Sequence, residues 1–580
     1  MNDQQGNPGE LILAVALGAL LGLGAIVWVW AGVAGVLFGS GWPTPSVGQL
    51  IAAALRLPSH LSDPRLSWPP TARAALPDAA GFYAALILLL FAAGAVTWLA
   101  LRVLESSLLS GFGVDDERRG ARWARVGELR ALHVPGVLAR LALPARNQAD
   151  ASRGRLALGY RGRRLLHAEA RHALVVFGPT QSFKSAGLAI PALLEWDGPA
   201  VASSTKTDLL AATIRRREQL GEVMVFDPFG LSTARTSTWS PLRAAGDWDG
   251  ALSTAMRMSA GGELDTSTLR GGSYWSAAAE QRLAPLLWAA AQTDGGIGAV
   301  VRWAYGQGDS ELPAILQGLL AGAKDAGERA DAQAAYDAHA AFEQMAGETR
   351  ASIESHVQQL LRGYRSPRVQ ASAAGCEITP ERLLAGRTTL YLVGDSHRSK
   401  LLRPIFLALL SELVDHAYHE ATWRGGRLPR PLLLCLDELG NVAPLPNLGE
   451  VASTAASHNI QLVSIFHDMA QARARYGEQT LTVINNHRAR MLLPGVADLE
   501  TLRYFSELLG EQHLRDPDRR SSDLKAPRER RALAAPEQLR QLPAGHALLI
   551  YGRLAPTKIR LRAYFQDRHL KKLAHPEAHQ

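Results

Sequence analysis

The residues with the most concentrated chemical potential in this 580-residue chain are Gly178, Pro179, Thr180, Gln181, Ser182, Phe183, Lys184 and Ser185. An apolar, β-branched run, Ala173 to Phe177, leads into them, and a helix-like sequence follows. Strand, tight loop and helix together make a phosphate cradle. Backbone N–H groups converge on the anion, the helix N-terminus adds partial positive charge, the lysine reaches the β- and γ-phosphates, and the serine hydroxyl ligates magnesium. All eight residues are therefore candidates for nucleotide binding, with Ser185 also a metal ligand. The spacing departs from G-x-x-x-x-G-K-[ST] at one position: Phe183 stands where a second glycine is expected. That places a Cβ and a ring where backbone normally approaches phosphate closely.

A phosphate loop needs a second element, a hydrophobic strand that ends in acid. Pro431 to Glu438 reads PLLLCLDE. Asp437 at the strand end is the candidate magnesium ligand, and Glu438 the candidate for polarising an attacking water. Apolar residues followed by Asp-Glu are a weak signal alone; downstream of a strand–GPTQSFKS–helix unit they become a strong one. The implied chemistry is hydrolysis of ATP with Mg2+. His467 follows the strand-like run Gln461 to Phe466, where a group sensing the γ-phosphate belongs, although a lone histidine there is also a common structural residue. Thr207 and Asp208, after the run ending at Ser203, read better as helix N-caps than as ligands.

These residues must be held by a sheet. Strands are predicted at Ala173 to Phe177, Ala200 to Ser203, Val223 to Phe226, Thr388 to Val393, Leu432 to Leu436, Gln461 to Ile465, Ala489 to Leu493 and Ala547 to Tyr551. Several are continuous apolar runs, as in a parallel sheet buried on both faces, and helical patterns alternate with them. The fold class is α/β, doubly wound, with ligands expected beyond the strand C-termini. Residues 241–380 carry helical signals only and read as an inserted all-helical domain, which leaves 173–240 and 381–580 as the nucleotide-binding domain. Leu156 to Leu166 reads as a hairpin at the end of a basic connector, 105–172, and Arg515 to Arg531 as a basic loop.

The first 104 residues differ in kind. Leu11 to Phe38 is apolar without a charged residue, and Phe82 to Leu101 repeats the pattern. At 1.5 Å per residue either run crosses a hydrocarbon core of about 30 Å. The first run is too long for a signal peptide and lacks a basic start. A proline-rich loop between them carries Trp42 and Trp68, expected as interfacial anchors. Arg102, Arg118, Arg119, Arg122, Arg125 and Arg130 follow the second run, so the positive-inside rule puts the body and the N-terminus in the cytoplasm and the loop outside. The expectation is a multi-pass protein of the cell membrane. The net charge of +8 suits an anionic partner, nucleic acid or lipid, and the two cysteines, Cys376 and Cys435, stand without CxxC or histidine companions.

In order along the chain, GPTQSFKS, STKTDLL, VMVFDP with TWSPL, a helical insertion containing YWSAAA, LLLCLDELGNVAPLPNL, IFHDMAQARARYG and PAGHALLIYGRLAP resemble the TraG-type coupling ATPases of type IV secretion and conjugation systems. The resemblance spans Ala173 to about Asp567, and the two-run N-terminus is similar to that family too. It implies a RecA-like P-loop domain, a homo-hexameric ring, and a substrate of single-stranded DNA, a relaxase bound to it, or other secreted proteins passed to channel components. His467 stands where such proteins usually carry glutamine. Two rival readings remain: a double-stranded DNA pump of the FtsK and HerA group, and a receptor that binds nucleotide without hydrolysing it, which Phe183 favours.

Overall fold

The computed structural model describes residues 8–108, 120–134, 154–170, 172–266, 272–308, 310–395, 397–514 and 529–575. They form two compact units, divided between residues 117 and 118. Most of the basic stretch 515–531 and much of the connector, including Arg118 and Arg119, lie outside the described residues.

The N-terminal unit is built on two long helices, Pro8–Phe38 and Ala79–Leu108. Small residues let them approach: Ala31, Ala34 and Ala85 are completely buried, and at Gly81 a Cβ would stand 2.9 Å from Phe38 Cβ. The Trp30 indole N–H donates to the carbonyl of Phe82 at 2.7 Å and packs against the Phe82 ring at 4.7 Å. Among the described residues, Ala79–Trp98 is long and apolar enough to cross a membrane, and Gly22–Phe38 is a shorter apolar helix. The stretch between the long helices is itself partly helical (Val47–Arg56 and Pro70–Arg73). Trp68 is not the interfacial anchor expected from the sequence: it is 1% exposed, in the core of this unit. Trp42 does remain exposed, edge-on to Trp28 at 5.5 Å.

The body is organised by a mixed sheet. In chain order its strands, together with those of one small hairpin, are β1 (Ala157–Arg161), β2 (Arg164–His167), β3 (Leu174–Phe177), β4 (Ala200–Ser204), β5 (Val223–Phe226), β6 (Thr389–Val393), β7 (Leu432–Leu436), β8 (Ile460–Phe466), β9 (Ala489–Leu492), β10 (Glu511–Leu514), β11 (Glu529–Ala532), β12 (His546–Tyr551) and β13 (Thr557–Arg560). The sheet runs β2-β1-β13-β12-β9-β3-β8-β7-β4-β6-β5. Strands β9 to β5 in that order are parallel. Strands β12, β13, β1 and β2 extend the β9 edge antiparallel. Period-two alternation puts Val175 and Phe177 of β3 in the core on one face and Leu174 and Val176 in the core on the other. Burial on both faces is why these strands read as unbroken apolar runs.

All eight predicted strands are present, and the predicted hairpin at 156–166 is β1–β2. Two elements were not anticipated: β13, whose TKIR alternates buried and exposed, and the β10–β11 pair that flanks the basic stretch. Between β5 and β6 the described residues carry helices and no strand, the longest being Trp248–Thr266, Gly272–Ala291 and Ala326–Glu343. The TWSPL segment ties them to the sheet. Trp239 is buried, lies edge-on to Phe226 at 6.3 Å, and its indole N–H donates to the Glu412 carboxylate at 3.0 Å.

Candidate nucleotide site

The parallel topology brings the ends of β3, β7 and β8 to one edge in register, because β8 pairs with both β3 and β7. Gly178–Ser185 leaves β3, Asp437 and Glu438 leave β7, and His467 leaves β8. Separations of more than 250 residues in sequence thus become hydrogen-bond distances.

Within the loop, Gly178 has no space for a side chain: a Cβ would stand 2.5 Å from Ser182 Oγ and 2.6 Å from Leu493 Cδ1. Ser182, 3% exposed, donates its hydroxyl to the Pro179 carbonyl at 2.7 Å and tightens the turn. Gln181 and Phe183 both adopt the left-handed region, with φ of 66° and 68°. The backbone at Phe183 therefore keeps the conformation that glycine would give freely, at a cost of about 1–2 kcal/mol for a residue with a Cβ. The helix after Lys184 begins with one wide π turn, Ser185–Ala189, and continues as Ile190–Glu195. Such turns occur mostly at functional positions.

Two bridges close the site across the sheet edge. The Lys184 ammonium is paired with the Glu438 carboxylate, both side chains largely buried. The other Glu438 oxygen receives His467 Nε2 at 2.7 Å and the Asn441 amide at 3.0 Å, and His467 lies 3.4 Å from Lys184 Nζ. In the second bridge the Ser185 hydroxyl donates to Asp437 Oδ2 at 2.6 Å, while Asp437 Oδ1 accepts the Glu438 backbone N–H at 3.0 Å. Glu438 itself sits at φ 55°, a third left-handed residue at this site.

The two adjacent carboxylates are driven in opposite directions. Burial raises the pKa of Asp437, and the Ser185 hydrogen bond and the nearby Lys184 charge only partly offset it. For Glu438 burial also pushes upward, but the bonds from His467 and Lys184 outweigh it and bring the group down to about 2. Glu438 is held ionised, the form a proton acceptor requires. Ser185 and Asp437 present a hydroxyl and a carboxylate oxygen together. That hard oxygen pair matches the way Mg2+ is held by one or two protein ligands, with phosphates and water completing the shell.

All the sequence-predicted chemical groups, Lys184, Ser185, Asp437, Glu438 and His467, meet here. Thr207 occupies an N-cap position without a side-chain capping bond, and Asp227 binds Leu231 N–H and Ser232 within its own loop. Three further side chains support the site. Ser203 donates to the Asp437 carbonyl at 3.2 Å; Asn441 holds Glu438; Gln471 accepts the His467 backbone N–H at 2.9 Å. Asn441 was legible as i+3 from Glu438, and Gln471 as the third residue of a helix capped by Asp468, where glutamine reaches back toward the cap. Ser203 had no sequence signal beyond lying at a strand end.

Residues 133–580 match the family of type IV secretory system conjugative DNA transfer proteins. The chain belongs to that family. Among curated relatives, it is 24% identical over 494 residues to protein VirD4 of Rhizobium radiobacter, covering 82% of this chain and 68% of that one. It is 25% identical over 381 residues to the conjugal transfer protein TraG of Escherichia coli, covering 60% of this chain and 56% of TraG. The fold is that of the bacterial conjugative coupling protein TrwB in its unbound form, with a TM-score of 0.53 at 19% identity over 68% of this chain and 84% of that one. TrwB in complex with ADP and Mg2+ gives 0.52 at 17% identity, over 68% and 85%. This member of the conjugative DNA transfer family is thus a coupling protein with an α/β P-loop NTPase fold and a mixed sheet.

Proposed function

We propose that this coupling protein is a membrane-anchored ATPase that drives single-stranded DNA, or a relaxase–DNA or protein substrate, into a type IV secretion channel. The observation that carries the reading is the double closure of the site. Lys184 meets Glu438 and His467, and Ser185 meets Asp437, so both halves of a phosphate-handling centre are assembled in one chain. Lys184 binds the β- and γ-phosphates, together with the backbone of Gly178 to Phe183. Without nucleotide its charge is neutralised by Glu438, and phosphate competes for the same ammonium. Ser185 and Asp437 would hold Mg2+, which would supply neutralisation of the charge on the phosphates. Glu438, freed of Lys184 and still fixed by Asn441, orients and deprotonates water; His467 reports the γ-phosphate to the helix that Gln471 begins to build.

The apolar helix Ala79–Trp98, preceded by the shorter apolar helix Gly22–Phe38, is the basis for an anchor in the cell membrane with the body in the cytoplasm. A hexamer with a neighbour's arginine at the γ-phosphate fits the chemistry. Arg475 donates to the Gly440 carbonyl at 2.6 Å beside the acidic strand end, and Arg473 is paired with Glu500. A second reading, a receptor that binds ATP without turnover, is favoured by the left-handed Phe183. ATP hydrolysis by the full chain in detergent decides between them. Stimulation by single-stranded DNA above a Lys184→Ala control supports the ATPase, greater stimulation by duplex supports a double-stranded pump, and nucleotide binding with no turnover supports the receptor.

A further inference from the structure

Phe183 does not stand alone beside the loop. Its ring lies next to that of Phe565, with centroids 6.3 Å apart and planes tilted by 32°. Phe183 is half-buried against the core of that sheet face, whereas Phe565 is 47% exposed. The segment carrying Phe565 is rigidly attached. The Tyr564 backbone N–H donates to the carbonyl of Ala186, two residues beyond Lys184, at 3.0 Å. Arg562, with 5% of its side chain exposed, makes a forked pair with Glu195 on the helix that follows the loop, at 2.8 and 3.0 Å, and also binds Asp567 at 3.1 Å. The Tyr564 ring braces Phe565 edge-on at 5.5 Å. A large apolar ring, 47% exposed, is thus held facing solvent next to the loop.

Lys184 takes the terminal phosphates of a triphosphate, which leaves sugar and base to extend from the loop past the start of the following helix, where Ala186 and Phe565 lie. We propose that Phe565, with Phe183 beneath it, is a stacking platform for the nucleobase of the bound triphosphate. The inference rests on the nucleotide reading above. It also accounts for a ring at a position whose backbone conformation favours glycine: Phe183 supports the platform from below. Stacking uses the π-face that every base presents, so the platform accepts all four bases and favours purines by their larger area.

The test uses the full chain in detergent and titration calorimetry with two Mg2+-loaded probes, ATP and inorganic tripolyphosphate, which shares the phosphates and lacks a base. Phe565→Ala should weaken ATP about ten-fold while leaving tripolyphosphate within about two-fold, and Phe565→Trp should restore ATP. CTP should lose less than ATP in Phe565→Ala. Equal losses for ATP and tripolyphosphate, or no loss for either, overturn the platform while leaving phosphate binding at Lys184 intact. A natural chain that binds neither probe overturns the nucleotide reading and the platform with it, an outcome plainly different from binding that ignores Phe565.

Discussion

The two edges of one sheet handle strain and charge differently. At the edge formed by the C-terminal ends of the parallel strands, Gln181, Phe183 and Glu438 are left-handed, and Lys184 and Glu438 form a largely buried ion pair that the half-buried His467 joins. At the opposite edge the left-handed non-glycine residue, among those described, is Asn459, a type that tolerates this conformation, and its amide donates to the Leu428 carbonyl at 2.8 Å. The exposed charges there are paired in ordinary surface fashion, Arg387 with Asp197 and Arg424 with Glu420, while the fully buried Arg217 donates to the carbonyls of Trp196 and Gly198 and to the Thr389 hydroxyl. A cavity of about 330 Å³ lined by Glu381, His416, Arg424 and Arg430 also opens on this edge, next to the starts of β4 and β7. The difference is that strained non-glycine backbone and two adjacent carboxylates driven in opposite directions collect at one edge, the pattern expected of a functional site.

The largest effect should come from removing the charged centre of that edge. Glu438→Gln keeps the size and one acceptor oxygen but removes the base, and turnover should fall about 10²–10⁴-fold with ATP affinity retained. Lys184→Ala should lose about 10²–10³-fold in turnover and bind ATP more weakly as well. Steady-state hydrolysis beside calorimetry separates the two. By contrast, Arg424→Ala at the opposite edge should leave turnover unchanged; an equal loss there would erase the distinction between the edges.

A second test uses the opposed carboxylates. Glu438 is depressed to about 2, so its contribution to stability is complete above the ordinary value of 4.5 and is lost as pH falls through about 2. The stability difference between the natural chain and Glu438→Gln should therefore be constant near neutrality and shrink by about 2–3 kcal/mol between pH 4.5 and 2. Asp437 is raised, so protonation favours the folded state and its penalty is relieved as pH falls toward the ordinary value of 3.8. The same comparison with Asp437→Asn should change with the opposite sign. Denaturant unfolding of both variants across this range checks it, and parallel slopes would break the claim that burial governs one group and hydrogen bonding the other.

Much of this was legible before any coordinates. Continuous apolar runs such as LVVF and LLLCL announce buried parallel strands, and GPTQSFKS with LDE announces the edge where they must end. What stayed hidden depends on tertiary partners. The four residues of β13 alternate too briefly to stand out, and Trp68 looks like an interfacial anchor until its neighbours bury it. The opposite displacements of Asp437 and Glu438 depend on which side chains arrive from β3 and β8, and adjacent residues in sequence carry no sign of that. Phe183 was visible as a departure, but its left-handed φ and its partner Phe565, nearly four hundred residues away, were not.

The smallest effect isolates strain from side-chain function. At a left-handed position glycine escapes a penalty that alanine bears, so the stability gap between the two substitutes measures the conformation itself, about 1 kcal/mol. The gap should appear at both edges: Phe183→Gly more stable than Phe183→Ala, and Asn459→Gly more stable than Asn459→Ala, each read from denaturant midpoints at constant slope. The natural residues should rank differently. Asn459 should exceed both of its substitutes, because it pays little for φ 66° and holds Leu428. Phe183→Gly should lie within about 1 kcal/mol of the natural chain, since relief of strain offsets the loss of a half-buried ring. If Phe183 instead outranks its glycine variant by as much as a fully buried phenylalanine would, about 3 kcal/mol or more, the ring is a core residue and the strain at this edge is incidental to phosphate binding.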